Sequence, residues 1–88
     1  MQAAGKAREV VLLSKAGCHL CEAVESEIRS MGAFKIDLKV VDIEGDAALH
    51  DRYWLRIPVV KLGDREVFDA TVMDAGGEWK RELARILL

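Results

Sequence analysis

Apolar residues recur along the first half of the chain in three rhythms. Glu9-Val10-Val11-Leu12-Leu13 is a short run, continuous after its first residue and rich in valine and leucine, as a strand covered on both faces requires. Leu20, Val24, Ile28 and Met31 then repeat at helical spacing, with Glu22, Glu25, Ser26 and Arg29 on the other side and Gly32 suited to end the helix. From Phe34 to Val40 the chain alternates, Phe34, Ile36, Leu38 and Val40 against Lys35, Asp37 and Lys39, which is the period of a half-exposed edge strand. Strand, helix and strand make a βαβ unit, with parallel strands and a right-handed crossover. Both cysteines, Cys18 and Cys21, sit at its strand-to-helix turn.

The second half changes period. Asp46 is a helix N-cap ahead of Leu49 and Tyr53, predicting a short helix. Val59, Val60 and Leu62 face Val67 and Phe68 across Gly63-Asp64, an antiparallel hairpin in which the glycine supplies positive φ. Pro58, the only proline, opens its first strand. Trp79, Leu83, Ile86 and Leu87 form one stripe of a closing helix. For its approach, Asp74 is a candidate cap and Gly76-Gly77 a candidate turn, and Thr71 to Met73 are expected to extend the hairpin or lie in a loop. Residues 1–8 read as a flexible polar leader and 9–88 as a single domain. The predicted order, β-α-β-α-β-β-α, is that of the thioredoxin fold, an α/β class with a four-stranded mixed sheet and helices on both faces.

Composition narrows the function classes. With 88 residues the chain has room for one core, burying about 60 to 65% of its unfolded surface. It is 51% hydrophobic and 32% charged with a formal net charge of −2, an ordinary globular balance. It carries no basic stripe interleaved with aromatics, so no nucleic-acid partner is expected. Nor does the opening stretch hold a long apolar span, so we expect no membrane insertion and a cytoplasmic location. A monomer is expected. In a reducing compartment, cysteines three apart close too small a loop to act as a permanent staple, which leaves chemistry or metal.

The stretch "LLSKAGCHLCEAVESEI" resembles the glutaredoxin active-site segment. "VDIEGDAALHDRYWLRIPVVKL" resembles that family's second strand, linking helix and proline-led strand. The likeness spans nearly all of the chain after residue 8 and is nearest to small bacterial glutaredoxin-like proteins with a Cys-His-Leu-Cys motif. Disulfide chemistry suits the spacing, since cysteines at i and i+3 of a helix start can approach bonding distance. A sulfur at that terminus meets unpaired N–H groups that favour the thiolate. Cys18 is therefore the expected nucleophile and Cys21 the resolving cysteine. Lys15 and His19 add positive charge that tunes the thiolate, and the resemblance supports Lys15, because glutaredoxins carry a lysine at this spacing. It also implies that Pro58 is a cis proline facing the cysteines, with Ile57 beside it in the substrate groove.

Two departures bear on the substrate. His19-Leu20 replaces the Pro-Tyr usual between the cysteines, and a protonated His19 would favour the thiolate and so a more oxidising disulfide. In the pocket that binds glutathione in the family, Arg56-Ile57 replaces threonine-valine, and Gly76-Gly77 is followed by Glu78-Trp79 without the family's aspartate. Arg56, Gly76, Gly77 and Glu78 are thus the candidates for glutathione contact. The expected reaction is thiol-disulfide exchange with a protein disulfide or a glutathione mixed disulfide. No bound cofactor is expected, and glutathione is a candidate reductant. No metal is expected within one chain, because zinc wants four ligands and only His19 and His50 remain. The alternatives are a metal- or cluster-binding accessory, its site shared across a dimer, and a non-catalytic interaction module on the same fold.

Overall fold

The valine- and leucine-rich run forms β1 (Arg8–Ser14), an interior strand whose side chains are covered alternately from opposite faces. The computed structural model describes residues 7–32, 35–73 and 78–88, with 72 and 73 described by their backbone alone. β1 pairs in parallel with β2 (Ile36–Asp42), from Arg8 against Ile36 to Ser14 against Asp42. On its other edge it pairs antiparallel with β3 (Val59–Leu62), Leu13 lying against Val59. β3 turns through Gly63, φ 64°, into β4 (Arg65–Phe68), and the sheet order is β2-β1-β3-β4. This is the expected mixed thioredoxin-fold sheet, with β2 at an edge. β1 begins at Arg8, which takes that residue out of the predicted leader, and residues 1–6 lie outside the described residues.

Helices cover both faces. Val24 and Ile28 of α1 (His19–Arg29) join Trp79, Leu83 and Leu87 of the closing helix (Glu78–Leu87) over Val10, Leu12, Val60 and Phe68, with the Trp79 ring edge-on to Phe68. On the opposite face Tyr53, from α2 (Ala47–Tyr53), packs with Leu13, Ile43 and Val59. Asp46 caps α2 as predicted, its carboxylate accepting from the N–H groups of Ala48 and Leu49 at 2.9 and 3.2 Å.

Four local expectations change. α1 ends at Arg29, three residues before Gly32, because Ser30 closes the last turn: its N–H bonds to the Ser26 and Glu27 carbonyls and its hydroxyl donates to Glu27 O at 2.8 Å. The buried seam of α1 is Cys21, Val24 and Ile28, with Leu20 and Met31 only half-buried. In β2, Ile36 and Leu38 face the α1 side, but Val40 is exposed and Val41 packs on the α2 side instead. Residues 70–73 form neither hairpin nor loop but one helical turn, α3 (Ala70–Met73), capped by the Asp69 carboxylate, which accepts from the Thr71 N–H at 3.0 Å. The closing helix is α4. Phe34, Asp74, Gly76 and Gly77 lie outside the described residues.

A polar clamp joins α2, the segment ahead of β3, and β4. The buried Tyr53 hydroxyl donates to Glu66 Oε2 at 2.9 Å, and the Arg56 guanidinium donates to Glu66 Oε1. Arg56 also lies 3.5 Å from Asp69 Oδ2, with its guanidinium 5.3 Å above the Tyr53 ring. The hydrogen bond from Arg56, and then that from Tyr53, holds the Glu66 carboxyl below its usual range. Hydrogen bonds from the Thr71 hydroxyl and N–H, with Arg56 adding, do the same for Asp69. Burial, and then the Glu66 carboxylate, pushes the Tyr53 phenol up.

The fold yields two predictions. Leu12 is fully buried, so Leu12→Ala is expected to cost about 2–5 kcal/mol in denaturant unfolding. Leu55 is 75% exposed, so Leu55→Ala is expected to change stability by no more than about 0.5 kcal/mol; equal losses would contradict this placement of the core. The second concerns acid. Glu66 and Asp69 titrate lower folded than unfolded, so their stabilisation is complete above the unfolded values, about 4.3 and 3.9, and drains away as pH falls through the folded ones. Glu66→Gln is expected to be less stable at neutral pH and to lose less on acidification; acid limbs that run parallel to wild type would refute the clamp's charge.

Candidate active site

The last residue of β1, Ser14, is followed by a tight turn that sets up α1. The Cys18 N–H bonds to the Lys15 carbonyl at 3.3 Å, and Gly17 takes φ 83°, as position three of a type II turn demands. A Cβ at Gly17 would meet nothing within 4 Å, so backbone conformation rather than space calls for glycine. Cys18 leaves this turn extended, at φ −88° and ψ 103°, and becomes the N-cap of α1.

The N-cap position gives the sulfur an unusual duty. Where a helix commonly places a serine or aspartate oxygen, Cys18 Sγ accepts from the Cys21 N–H at 3.1 Å, while the Cys18 carbonyl takes the first helical bond from Glu22 N–H at 3.1 Å. The two sulfurs stand at disulfide distance with their Cα atoms 5.2 Å apart, inside the range a disulfide needs. Their surroundings differ. Cys18 is half-buried and reachable; Cys21, on the inward seam of α1, is fully buried.

Each of the two charges expected to tune this pair stands beside a carboxylate. Lys15 Nζ lies 3.7 Å from Glu44 Oε2, on the 3₁₀ turn Ile43–Gly45 that follows β2. His50 Nε2 lies 3.7 Å from the same oxygen, and its ring stacks on Trp54 at 6.2 Å. The His19 side chain is 97% exposed, its Nδ1 3.9 Å from Glu22 Oε1. Glu44 was not among the residues singled out from the sequence, where it reads as one more acid in a polar stretch.

Ile57-Pro58 is a cis peptide, and Pro58 is fully buried. Because Leu13 is paired with Val59, the next step along the ladder brings Pro58 to the end of the sheet where Ser14 leads into the cysteine turn. The Ile57 N–H bonds to the Tyr53 carbonyl at 3.1 Å. Arg56 is held in the clamp with Glu66 and Asp69, Glu78 is exposed at the start of α4, and Gly76-Gly77 lie outside the described residues. Sequence reading missed Glu66 as well. Its sole signal was an acid between strand residues, which marks a solvated face as readily as a clamp. Among the described residues, no group of three or more His, Cys, Asp and Glu side chains gathers as a metal site, and no helix is long and apolar enough to cross a membrane.

Comparison with known proteins agrees with this architecture. The model of the Glutaredoxin-like domain (DUF836) matches residues 9–81. The solution structure of protein Ne2328 from Nitrosomonas europaea is 30% identical, covering 73% of this chain and 79% of its own, with a TM-score of 0.64. No curated protein matches. The cysteine pair at disulfide distance fits a thiol-redox role for this architecture. With the family's domain matched from β1 into α4 on a thioredoxin-fold sheet, the chain belongs to the glutaredoxin-like family.

Proposed function

We propose that the chain is a thiol-disulfide oxidoreductase in which Cys18 attacks and Cys21 resolves. The supporting observation is the asymmetry of the pair: a reachable sulfur that caps a helix and accepts an N–H hydrogen bond, beside a fully buried one. The Cys18 thiolate attacks one sulfur of a substrate disulfide, whose S–S bond breaks. The departing half leaves as a thiolate and takes up a proton. A mixed disulfide now joins Cys18 to the other half. Cys21 then gives up its proton and attacks Cys18 Sγ, the mixed disulfide breaks, and the second half leaves as a thiol. The substrate is reduced and the cysteine pair oxidised to a disulfide. A donor thiol, either glutathione or a dithiol protein, returns electrons to the pair by the same steps in reverse.

In this reading a single chain acts without a bound cofactor, and Ile57 and Pro58 shape the groove for the substrate. Lys15 and His19 contribute positive charge near the turn, opposed by Glu44 and Glu22. The substrate is a protein disulfide or a glutathione mixed disulfide. Arg56 already faces two carboxylates of its own chain, which favours a substrate not held through that residue.

Ultraviolet thiolate titration of the reduced protein is expected to show one thiol with a pKa below the ordinary value of about 8.5. Cys18→Ser should remove that thiol and reduce disulfide turnover to background. Cys21→Ser should keep it and accumulate a mixed disulfide on Cys18, visible by mass spectrometry. An ordinary thiol at Cys18, with no turnover using either donor, would defeat the proposal; metal copurifying in fixed ratio would then favour the metal-binding accessory.

A further inference from the structure

We infer that Glu66 is a positioning residue for disulfide exchange: through Tyr53 and Arg56 it fixes the Ile57-Pro58 step along which an extended polypeptide disulfide is aligned with Cys18. The inference rests on the exchange reaction proposed above and adds to it a residue on β4, outside the cysteine turn and the proline step.

The segment from Tyr53 to Ile57 is tied down by its backbone at several points. The N–H groups of Arg56 and Ile57 both bond to the Tyr53 carbonyl, at 2.7 and 3.1 Å, and the Arg56 carbonyl accepts from the Ala70 N–H at 3.1 Å. Between these ties Leu55 is exposed, and the half-exposed Trp54 stacks back on the His50 ring of α2 rather than on the sheet. Side chains must therefore hold its direction, and Glu66 supplies the bridge. One carboxylate oxygen takes the phenol of Tyr53, the last residue of α2, and the other takes the guanidinium of Arg56, the residue before Ile57. The carboxylate stays ionised to low pH because both donors favour its charged form, so the bridge is charge-assisted throughout the physiological range.

Without that carboxylate, the buried Tyr53 hydroxyl loses its acceptor, and Arg56 is left with the longer contact to Asp69 and its position over the Tyr53 ring. Ile57 packs against the cluster that holds Tyr53, so disturbance at Tyr53 reaches the groove directly. Cys18 takes its hydrogen bond from α1 and its turn from Lys15, and among the described residues neither shares a hydrogen bond or ion pair with the clamp. Loss of Glu66 should accordingly weaken alignment of an extended substrate while leaving the sulfur's reactivity unchanged.

The test uses the full chain, pre-reduced, in single turnover against a fluorescent peptide carrying a mixed disulfide with cysteine, so that both electrons come from Cys18 and Cys21. Iodoacetamide, too small to need the groove, reports Cys18 reactivity in parallel. Glu66→Gln and Tyr53→Phe, shown folded by circular dichroism, are compared with wild type. The expected result is a half-saturating peptide concentration raised roughly five- to tenfold, the scale of one lost hydrogen bond of ordinary net strength, with an unchanged limiting rate and unchanged alkylation. Wild-type saturation in both variants would overturn the positioning role alone. Limiting rate and alkylation falling together, with half-saturation unmoved, would also overturn it, as a general loss of structure. A wild-type protein that alkylates rapidly but does not reduce the peptide would overturn the exchange reading and this inference with it.

Discussion

Everything at the candidate site depends on β1 being paired on both edges and covered on both faces. Parallel pairing with β2 carries the 3₁₀ turn with Glu44 to the end of the sheet where Ser14 leads into the cysteine loop. Antiparallel pairing with β3 brings Pro58 to that same end from the other side. A slip of one residue in either ladder would turn Val10 and Leu12 toward the α2 face and Leu13 toward α1, reversing every burial in the strand. Register thus serves packing first and the site as a consequence.

Within that frame the helix end meets Cys18 Sγ directly, whereas the nearby cations meet carboxylates. The Lys15–Glu44 pair is half-exposed, and such pairs are worth up to about 1 kcal/mol, with the lysine's field largely answered by its partner. His19 points into solvent. A charge at a helix N-terminus gains about 0.3–1 kcal/mol, and up to ~2 where partly buried. The N–H bond from Cys21 to Cys18 Sγ at 3.1 Å adds a direct contact to that field.

The clamp of Tyr53, Arg56 and Glu66 shows a different use of charge. Here the partners are partly buried, joined across α2, the segment before β3, and β4, and directed by hydrogen bonds rather than by attraction alone. Arg56 stands where the family resemblance suggested a ligand contact, yet the chain's own carboxylates occupy it. A residue's place in a motif therefore does not settle what its side chain reaches.

Patterns short in range were legible in the sequence. The β1 run, the α1 seam near Val24 and Ile28, the Asp46 cap, the Gly63-Asp64 turn and the cysteine pair at a helix start each depend on neighbours within a turn or two, where period and backbone preference decide. The early stop of α1 at Ser30, the switch of face at Val40 and Val41, and the helical turn capped by Asp69 were not legible, because several local solutions were open and packing chose among them. Least legible were Glu44 and Glu66, which read as surface acids until the fold sets them against Lys15 and His50, or Tyr53 and Arg56. By itself, then, the sequence determined the order of the four strands and the three longer helices and the place of Cys18 and Cys21 at a helix start, since those follow from local period and spacing. Only the tertiary structure decided which charges meet, because their partners stand on other elements and nothing along the chain encodes that distance.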